Sequence, residues 1–303
     1  MSCARNGFRN GVEIMSREYT QHFPDMSEAS VPQRIDYLRT GVFLDTSVQR
    51  DLREYLNLLV REPKDADRKL VFLTAPPGMG LSKLLANFVA QNPSFTEQRT
   101  GRPVVPVVNE EIQPSGDIID FCDEMRVSLA IPGFGPTVRI MSLRRTLTLL
   151  DQIKTRLVIL EDFHRTYSFK KHQMVAYQNF VHHLISKYDI RVVLTGAPRI
   201  WRWAMEDEQT LGRSVHLQYR AWTPHDDDFI EFLEAFERWC PNKDGGTLSH
   251  DPKFRKSLIT KTHGICREVM QTLTSLAIFA IVSGSERLDF DTWISFRDQD
   301  LPS

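Results

Sequence analysis

Residues Ala75 to Lys83 read Ala-Pro-Pro-Gly-Met-Gly-Leu-Ser-Lys, a run whose residue types can hold phosphate. Gly78, Gly80 and Ser82 keep the spacing of a Walker A loop, Gly-x-x-x-x-Gly-Lys-Ser/Thr, in which main-chain N–H groups and a helix N-terminus converge on phosphate oxygens. Two positions differ. Ala75 replaces the first glycine, and Leu81 stands where the motif has lysine. Pro76 and Pro77 carry no N–H, but Gly78, Met79, Gly80, Leu81 and Ser82 all do. The expected chemistry is a main-chain cradle for phosphate, with the Ser82 hydroxyl available to magnesium and the customary ammonium group missing. Lys83 lies roughly 200° around a helix from Leu81, at 100° per residue. Either the loop shifts register to use Lys83, or the lysine is lost. A glycine-rich turn that binds nothing is the competing reading of this loop alone.

Three further groups bear on the same chemistry. The apolar run Leu157 to Leu160 ends in Glu161 and Asp162, about 80 residues after the loop. In P-loop ATPases such a strand brings one acid to the magnesium shell and, in many families, a second to polarise the attacking water. Glu161 is the candidate for the metal, and Asp162 for the water. The usual order is Asp then Glu; the reversed order leaves the second acid one methylene short, so slow hydrolysis is expected. Thr195 ends the run Arg191 to Thr195 before Gly196, and can either hold that water or cap a turn. Arg213 follows Asp207 to Gly212 at what reads as a subunit edge, where a guanidinium can reach a neighbouring copy.

Positioning these groups requires strands and helices in alternation. Leu70 to Thr74, Val104 to Val108, Leu157 to Leu160, Arg191 to Thr195 and Ser214 to Gln218 are short apolar runs with strand character. Helical spacing marks Thr46 to Arg61, Lys83 to Gln91, Asp117 to Leu129, Met141 to Ile153 and His172 to Lys187. This alternation predicts a parallel sheet covered on both faces. From Pro224 the pattern is helical only: Asp226 to Cys240, Pro252 to Thr262 and Ile265 to Val282. The expected organisation is an N-terminal arm over 1–45, interrupted by Pro24 and Pro32, an α/β core over 46–222, a small helical domain over 223–284 and a tail over 285–303.

Composition narrows the class. The chain has 303 residues, 38 Lys plus Arg against 39 Asp plus Glu, and 41% apolar residues, values of a globular protein and not of a disordered or collagen-like one. Cys3, Cys122, Cys240 and Cys266 lie too far apart for a zinc or disulfide framework. The longest apolar stretch, Leu273 to Val282, is shorter than the ~20 residues of a membrane span. With no signal-like segment at the start, a cytoplasmic location is expected. His182 and His183 point about 100° apart on a helix and do not chelate a metal. Trp201 and Trp203 read as packing residues. Charge is uneven: Arg165, Lys170, Lys171, Lys187, Arg191, Arg199 and Arg202 oppose only Asp189 between Phe163 and Trp203, while acids dominate from Ala204 to Trp239.

In this order and spacing the residues resemble the TniB/TnsC group of AAA+ transposition regulators, from about Asp36 to Trp293. Arg61-Glu62-Pro63 through Arg68 looks like that family's approach to its Walker A loop, and Leu157 to His164 is similar to its acid-bearing strand with a trailing histidine. Thr195-Gly196 with Asp207, Gln209, Leu211 and Arg213 resembles its post-sensor stretch. Trp222, Asp228 and Phe229 look like its lid helix, and Gly264 through Gly284 like its final helix. The chain departs from the family at Leu81, at Glu161-Asp162 and at Ser214. These differences leave the implied fold, a P-loop AAA+ core followed by an all-helical lid, and put ATP turnover in question.

The resemblance implies binding of ATP and Mg2+ between subunits, with Gly78, Met79, Gly80, Leu81, Ser82 and Lys83 around the phosphates. Ser82 and Glu161 fall at the metal. Arg267 falls at the sensor-2 position of many AAA+ lids, where its charge would partly offset the missing lysine. It also implies a homo-oligomeric ring or filament on duplex DNA that recruits a DDE transposase and works with a TniQ-like target-selection protein. Such an assembly contacts DNA through phosphates. The family's DNA-facing elements map to about Asp117 through Arg139, making Arg126, Thr137 and Arg139 candidates, with Lys170 and Lys171 behind them. Two other readings stay open: a pseudo-ATPase scaffold between a targeting complex and a transposase, and a helicase-loader-like NTPase.

Overall fold

The computed structural model describes residues 21–62, 70–129 and 142–299. In chain order the helices and strands are α1 (Val31–Thr40), α2 (Ser47–Arg61), β1 (Leu70–Thr74), α3 (Leu81–Gln91), β2 (Phe95–Thr96), β3 (Pro103–Val104), β4 (Val107–Glu111), α4 (Ile118–Ser128) and α5 (Ser142–Gln152). There follow β5 (Leu157–Glu161), α6 (Lys171–Lys187), β6 (Arg191–Gly196), α7 (Trp201–Glu206), α8 (Glu208–Gly212), β7 (Ser214–Gln218), α9 (Asp227–Trp239), α10 (Pro252–Thr262), α11 (Cys266–Ser283) and α12 (Phe290–Gln299). The chain divides into two compact units. One holds residues up to Leu52, Gly78–Gly80 and the chain from Arg220; the other holds Arg53–Pro77 and Leu81–Tyr219.

The second unit is built on a five-stranded sheet in the order β4-β5-β6-β1-β7, parallel throughout. Every residue of β1 is buried, as is all of β5 except Glu161 and all of β6 except Gly196. That is the continuous apolar run expected of strands covered on both faces. Phe72 stands edge-on to Trp201 and Trp203, with ring centroids 5.2 and 5.9 Å away, so both tryptophans are packing residues as expected. Parallel pairing brings Thr74, Glu111, Glu161 and Gly196 to one edge of the sheet, and β6 lies between the strand preceding the glycine loop and the strand carrying the acids. The run expected as one strand over Val104 to Val108 is interrupted at Val105 and Pro106. Its start, β3, pairs antiparallel with β2, and only Val107 onward joins the main sheet.

The first unit is helical. Asp251 caps α10, accepting the N–H groups of Lys253 and Phe254 at 2.7 and 3.1 Å, and Pro252 occupies the first turn, where no N–H is required. Trp222 donates its indole N–H to Asp228 at 2.6 Å and packs on Phe229 and Phe232. The Trp222 N–H also meets the Gly264 carbonyl at 2.9 Å. The approach is so close that a Cβ on Gly264 would fall 2.1 Å from the Trp222 oxygen, and Gly264 has φ +70°; only glycine fits. Two helices lie in segments read as arm and tail. Helix α1 starts at Val31 with Pro32 in its first turn, where proline is tolerated instead of disruptive. Its Arg34, 2% exposed, forms a two-pronged ion pair with Glu286 at 2.6 Å. Helix α12 buries Trp293 completely, edge-on to Phe254. Among the described residues no single helix is long and apolar enough to cross a membrane. Helices α10 and α11 pass such a test only as a pair bent by 119°.

Candidate functional site

Strand β1 ends at Thr74, and the Ala75 N–H donates to the Gly196 carbonyl at 3.0 Å, fixing where the loop leaves the sheet. Gly78 and Gly80 have φ of +89° and +82°, the left-handed conformation that glycine adopts freely and from which main-chain anion nests are built. Met79 between them is buried and anchors the turn. Helix α3 starts at Leu81, so Leu81 holds the first helical position and the loop has not shifted register. Lys83, exposed, lies roughly 200° around the helix from it. Ser82 is exposed in the same turn. The Gly78 carbonyl accepts the Arg267 N–H at 2.9 Å. A Cβ on Gly78 would stand 2.8 Å from Ile265 Cγ2 and 4.0 Å from Arg267 Nε. The N-terminus of α11 thus lies directly on the glycine turn and brings the exposed Arg267 guanidinium beside it.

Glu161 closes β5 half-buried, its Oε1 accepting the Asn109 amide at 2.7 Å. The other side-chain atom of Asn109, Oδ1, is buried with no hydrogen-bond partner among the described residues. An unsatisfied carbonyl oxygen beside a carboxylate is a donor set suited to a hard cation or its bound water, so Glu161 and the Ser82 hydroxyl fit the chemistry of Mg2+. Among the described residues no group of three or more His, Cys, Asp or Glu could hold a metal.

Asp162 follows with φ +56°, and its carboxylate is engaged. Arg165 pairs with Asp162 at 2.9 Å and Glu111 at 2.5 Å, and donates to the Ile112 carbonyl at 2.8 Å. His164 packs on Gly196, where a Cβ would fall 2.9 Å from its Nδ1. That nitrogen has no hydrogen-bond partner among the described residues and stands 3.8 Å from Asp162. Burial pushes the imidazole below its ordinary pKa, against the pull of Asp162.

Thr195 is 2% exposed in β6, opposite Leu73 of β1. Arg213 is exposed at the far edge of the sheet, its carbonyl accepting the Leu70 N–H at 3.3 Å. A five-residue strand separates it from the loop, about 16 Å at 3.3 Å per residue, so Arg213 does not reach its own chain's glycine turn. Arg126 corrects the expectation of a DNA-facing side chain. It is 8% exposed where α4 packs on α5, paired with Asp123 and 3.4 Å from Ser142 Oγ. Arg191, counted in the basic stretch, is likewise buried and pairs with Glu62 at 3.3 Å. Lys170 and Lys171 are exposed at the start of α6. Thr137 and Arg139 lie outside the described residues. Asn109 and Glu111 were not singled out from sequence, and Arg165 was counted only in the basic stretch. The one available signal was two acids and an amide, Asn109-Glu110-Glu111, at the end of a strand.

A family model for the bacterial TniB protein matches residues 34–224, more than half of the chain. The chain belongs to the TniB family. No curated protein sequence matches this TniB chain. Among solved structures, Drosophila ORC bound to DNA matches it with TM-score 0.59 at 11% identity, over 97% of this chain and 71% of that one. The Aeropyrum pernix ORC2 protein, solved as ADPNP–ADP complexes, gives 0.57 at 14%, over 87% and 71%. Cdc6p from Pyrobaculum aerophilum gives 0.56 at 13%, over 87% and 70%. At these identities the likeness establishes the fold. The chain shares with them a parallel-sheet core covered by helices and a C-terminal helical region.

Proposed function

We propose that this TniB-family chain is an ATP-binding AAA+ regulator of DNA transposition that assembles on target duplex DNA as a ring or filament and recruits a DDE transposase. The observation that carries the reading is the strand–turn–helix at residues 70–91, with Gly78 and Gly80 both left-handed between a fully buried strand and the start of α3. The N–H groups from Gly78 to Ser82 hold the triphosphate, and Arg267 supplies the positive charge that Leu81 lacks. Ser82 and Glu161 hold Mg2+, which, when bound, neutralises charge developing on the phosphates. Thr195 orients the attacking water, and Arg213 serves a neighbouring copy's nucleotide, since its own loop is out of reach. The ORC relatives, one solved with ADPNP and ADP and one bound to DNA, support a nucleotide- and duplex-binding assembly.

A second reading has specific support. Leu81 in the lysine position and Asp162 bound by Arg165 both favour a pseudo-ATPase scaffold between a TniQ-like targeting protein and a transposase. Light scattering and electron microscopy of the purified chain on duplex DNA, with and without ATP and Mg2+, test the main reading. ATP-dependent assembly is expected. Assembly indifferent to nucleotide, together with no ATP binding, would leave the scaffold reading in its place.

A further inference from the structure

An open groove lies in the helical unit, far along the chain from the glycine loop. It encloses about 530 Å³ and is lined by Lys253, Lys256, Ser257, Thr260 and Lys261 of α10 with Trp293 and Arg297 of α12. Its floor is rigid, because Trp293 is fully buried and donates its indole N–H to Ser257 Oγ at 3.0 Å. That hydroxyl, already accepting, keeps its own hydrogen to donate outward. The walls are cationic. Lys253, Lys256 and Arg297 are exposed, and Lys261 extends over the rings of Trp293 and Phe296, 5.9 and 5.3 Å from their centroids. Among the described residues no carboxylate lines the groove. Asp251, just before α10, turns its carboxylate to the helix N-terminus.

We propose that this face of α10 and α12 is a contact site for the phosphodiester backbone of duplex DNA. Lys253 and Lys261 stand eight steps apart on α10, a stretch of charge about 12 Å long at 1.5 Å per residue. A duplex offers one phosphate per about 1.7 Å of axis, so a row of lysines meets repeating charge without needing exact register. Lysine, arginine and serine hydroxyl donors are the groups that bind phosphate oxygens and fix a protein's position without reading bases. An acidic polypeptide fits less well. Protein interfaces are centred on large apolar anchors, whereas Trp293, the large ring lining this groove among the described residues, is buried with Lys261 over it. The proposal extends the reading of the chain as a duplex-binding protein. It adds a contact that needs no nucleotide.

The test uses the full chain, a fluorescent duplex and anisotropy titrations without nucleotide over a range of salt. Against wild type, the K253E/K256E variant is expected to lose about tenfold or more in affinity, and the salt slope to fall by about two, near 0.9 per phosphate contact. ATP binding should not change. On the wild-type protein, lysine acetylation read by mass spectrometry should show Lys253 and Lys256 protected by duplex. Unchanged affinity and slope with no protection would overturn the proposal. So would a polyglutamate peptide that protects these lysines where duplex does not, which would make the groove a protein-docking site. Wild type that assembles on DNA only with ATP, with the variant indistinguishable from it, would remove this contact and leave the proposed function standing.

Discussion

At the scale of single residues, two side chains decide how the candidate site behaves. Leu81 begins α3 where an ammonium group would otherwise point at phosphate. If the surrounding main-chain nest is competent, Leu81→Lys should tighten ATP binding by about tenfold, the effect of one added charge-assisted contact, and raise phosphate release. A fluorescent-nucleotide titration and a release assay check both, and no change in either favours the scaffold. Arg165 holds Asp162 and Glu111 together. Removing that cation by Arg165→Gln should free Asp162 to accept a proton from water and raise kcat by about tenfold with KM for ATP unchanged. A fall in kcat would show instead that the ion pair positions the acid productively.

At the scale of elements, the Arg34–Glu286 pair fastens α1 to the chain just after α11. Its loss by Arg34→Met should cost about 2 kcal/mol, the scale of a hydrogen bond between charged groups, because the half-buried Glu286 carboxylate loses its partner. The hydrogen bond and charge of Arg34 hold the Glu286 carboxyl below its ordinary pKa. The pair's contribution is therefore complete above the unfolded glutamate value of about 4.3 and is lost as pH falls through the lower folded value. Urea midpoints should drop more steeply below about pH 4.3 in wild type than in Glu286→Gln. Most elements were legible because their apolar spacing is unbroken. Strands Leu70 to Thr74 and Ser214 to Gln218 and helix Pro252 to Thr262 fall at their expected bounds. Helix α1 was hidden by Pro32, which looks like a breaker unless the start at Val31 is known. In the site, the glycine turn and the acid pair could be read locally. Arg165, Asn109 and the burial of Arg126 could not, since each depends on which strand or helix packs beside it.

For the whole molecule, the division of the sheet edges sets the terms. Gly196 and Glu161 lie at one edge and Arg213 at the other, so the proposed role of Arg213 toward a neighbouring copy's nucleotide can be tested directly. Arg213→Ala should leave ATP affinity and thermal stability of the isolated chain unchanged and abolish any hydrolysis stimulated by assembly. Mixing this variant with a second one altered at the exposed metal-site hydroxyl, Ser82→Ala, should restore some turnover, read as phosphate release from the mixture. Restoration would place the two groups on different copies, and its absence would argue for one chain working by itself. The clasp between Arg34 and Glu286 joins residues 252 positions apart in sequence, and Trp293 lies further on, wholly enclosed. Severing the polypeptide after Gly284 would therefore strand a desolvated guanidinium near the beginning and hollow out the space beside Phe254 at the end. An affinity tag, fusion partner or protease site substituted there would unfasten a helix that any linear map draws as unrelated to it.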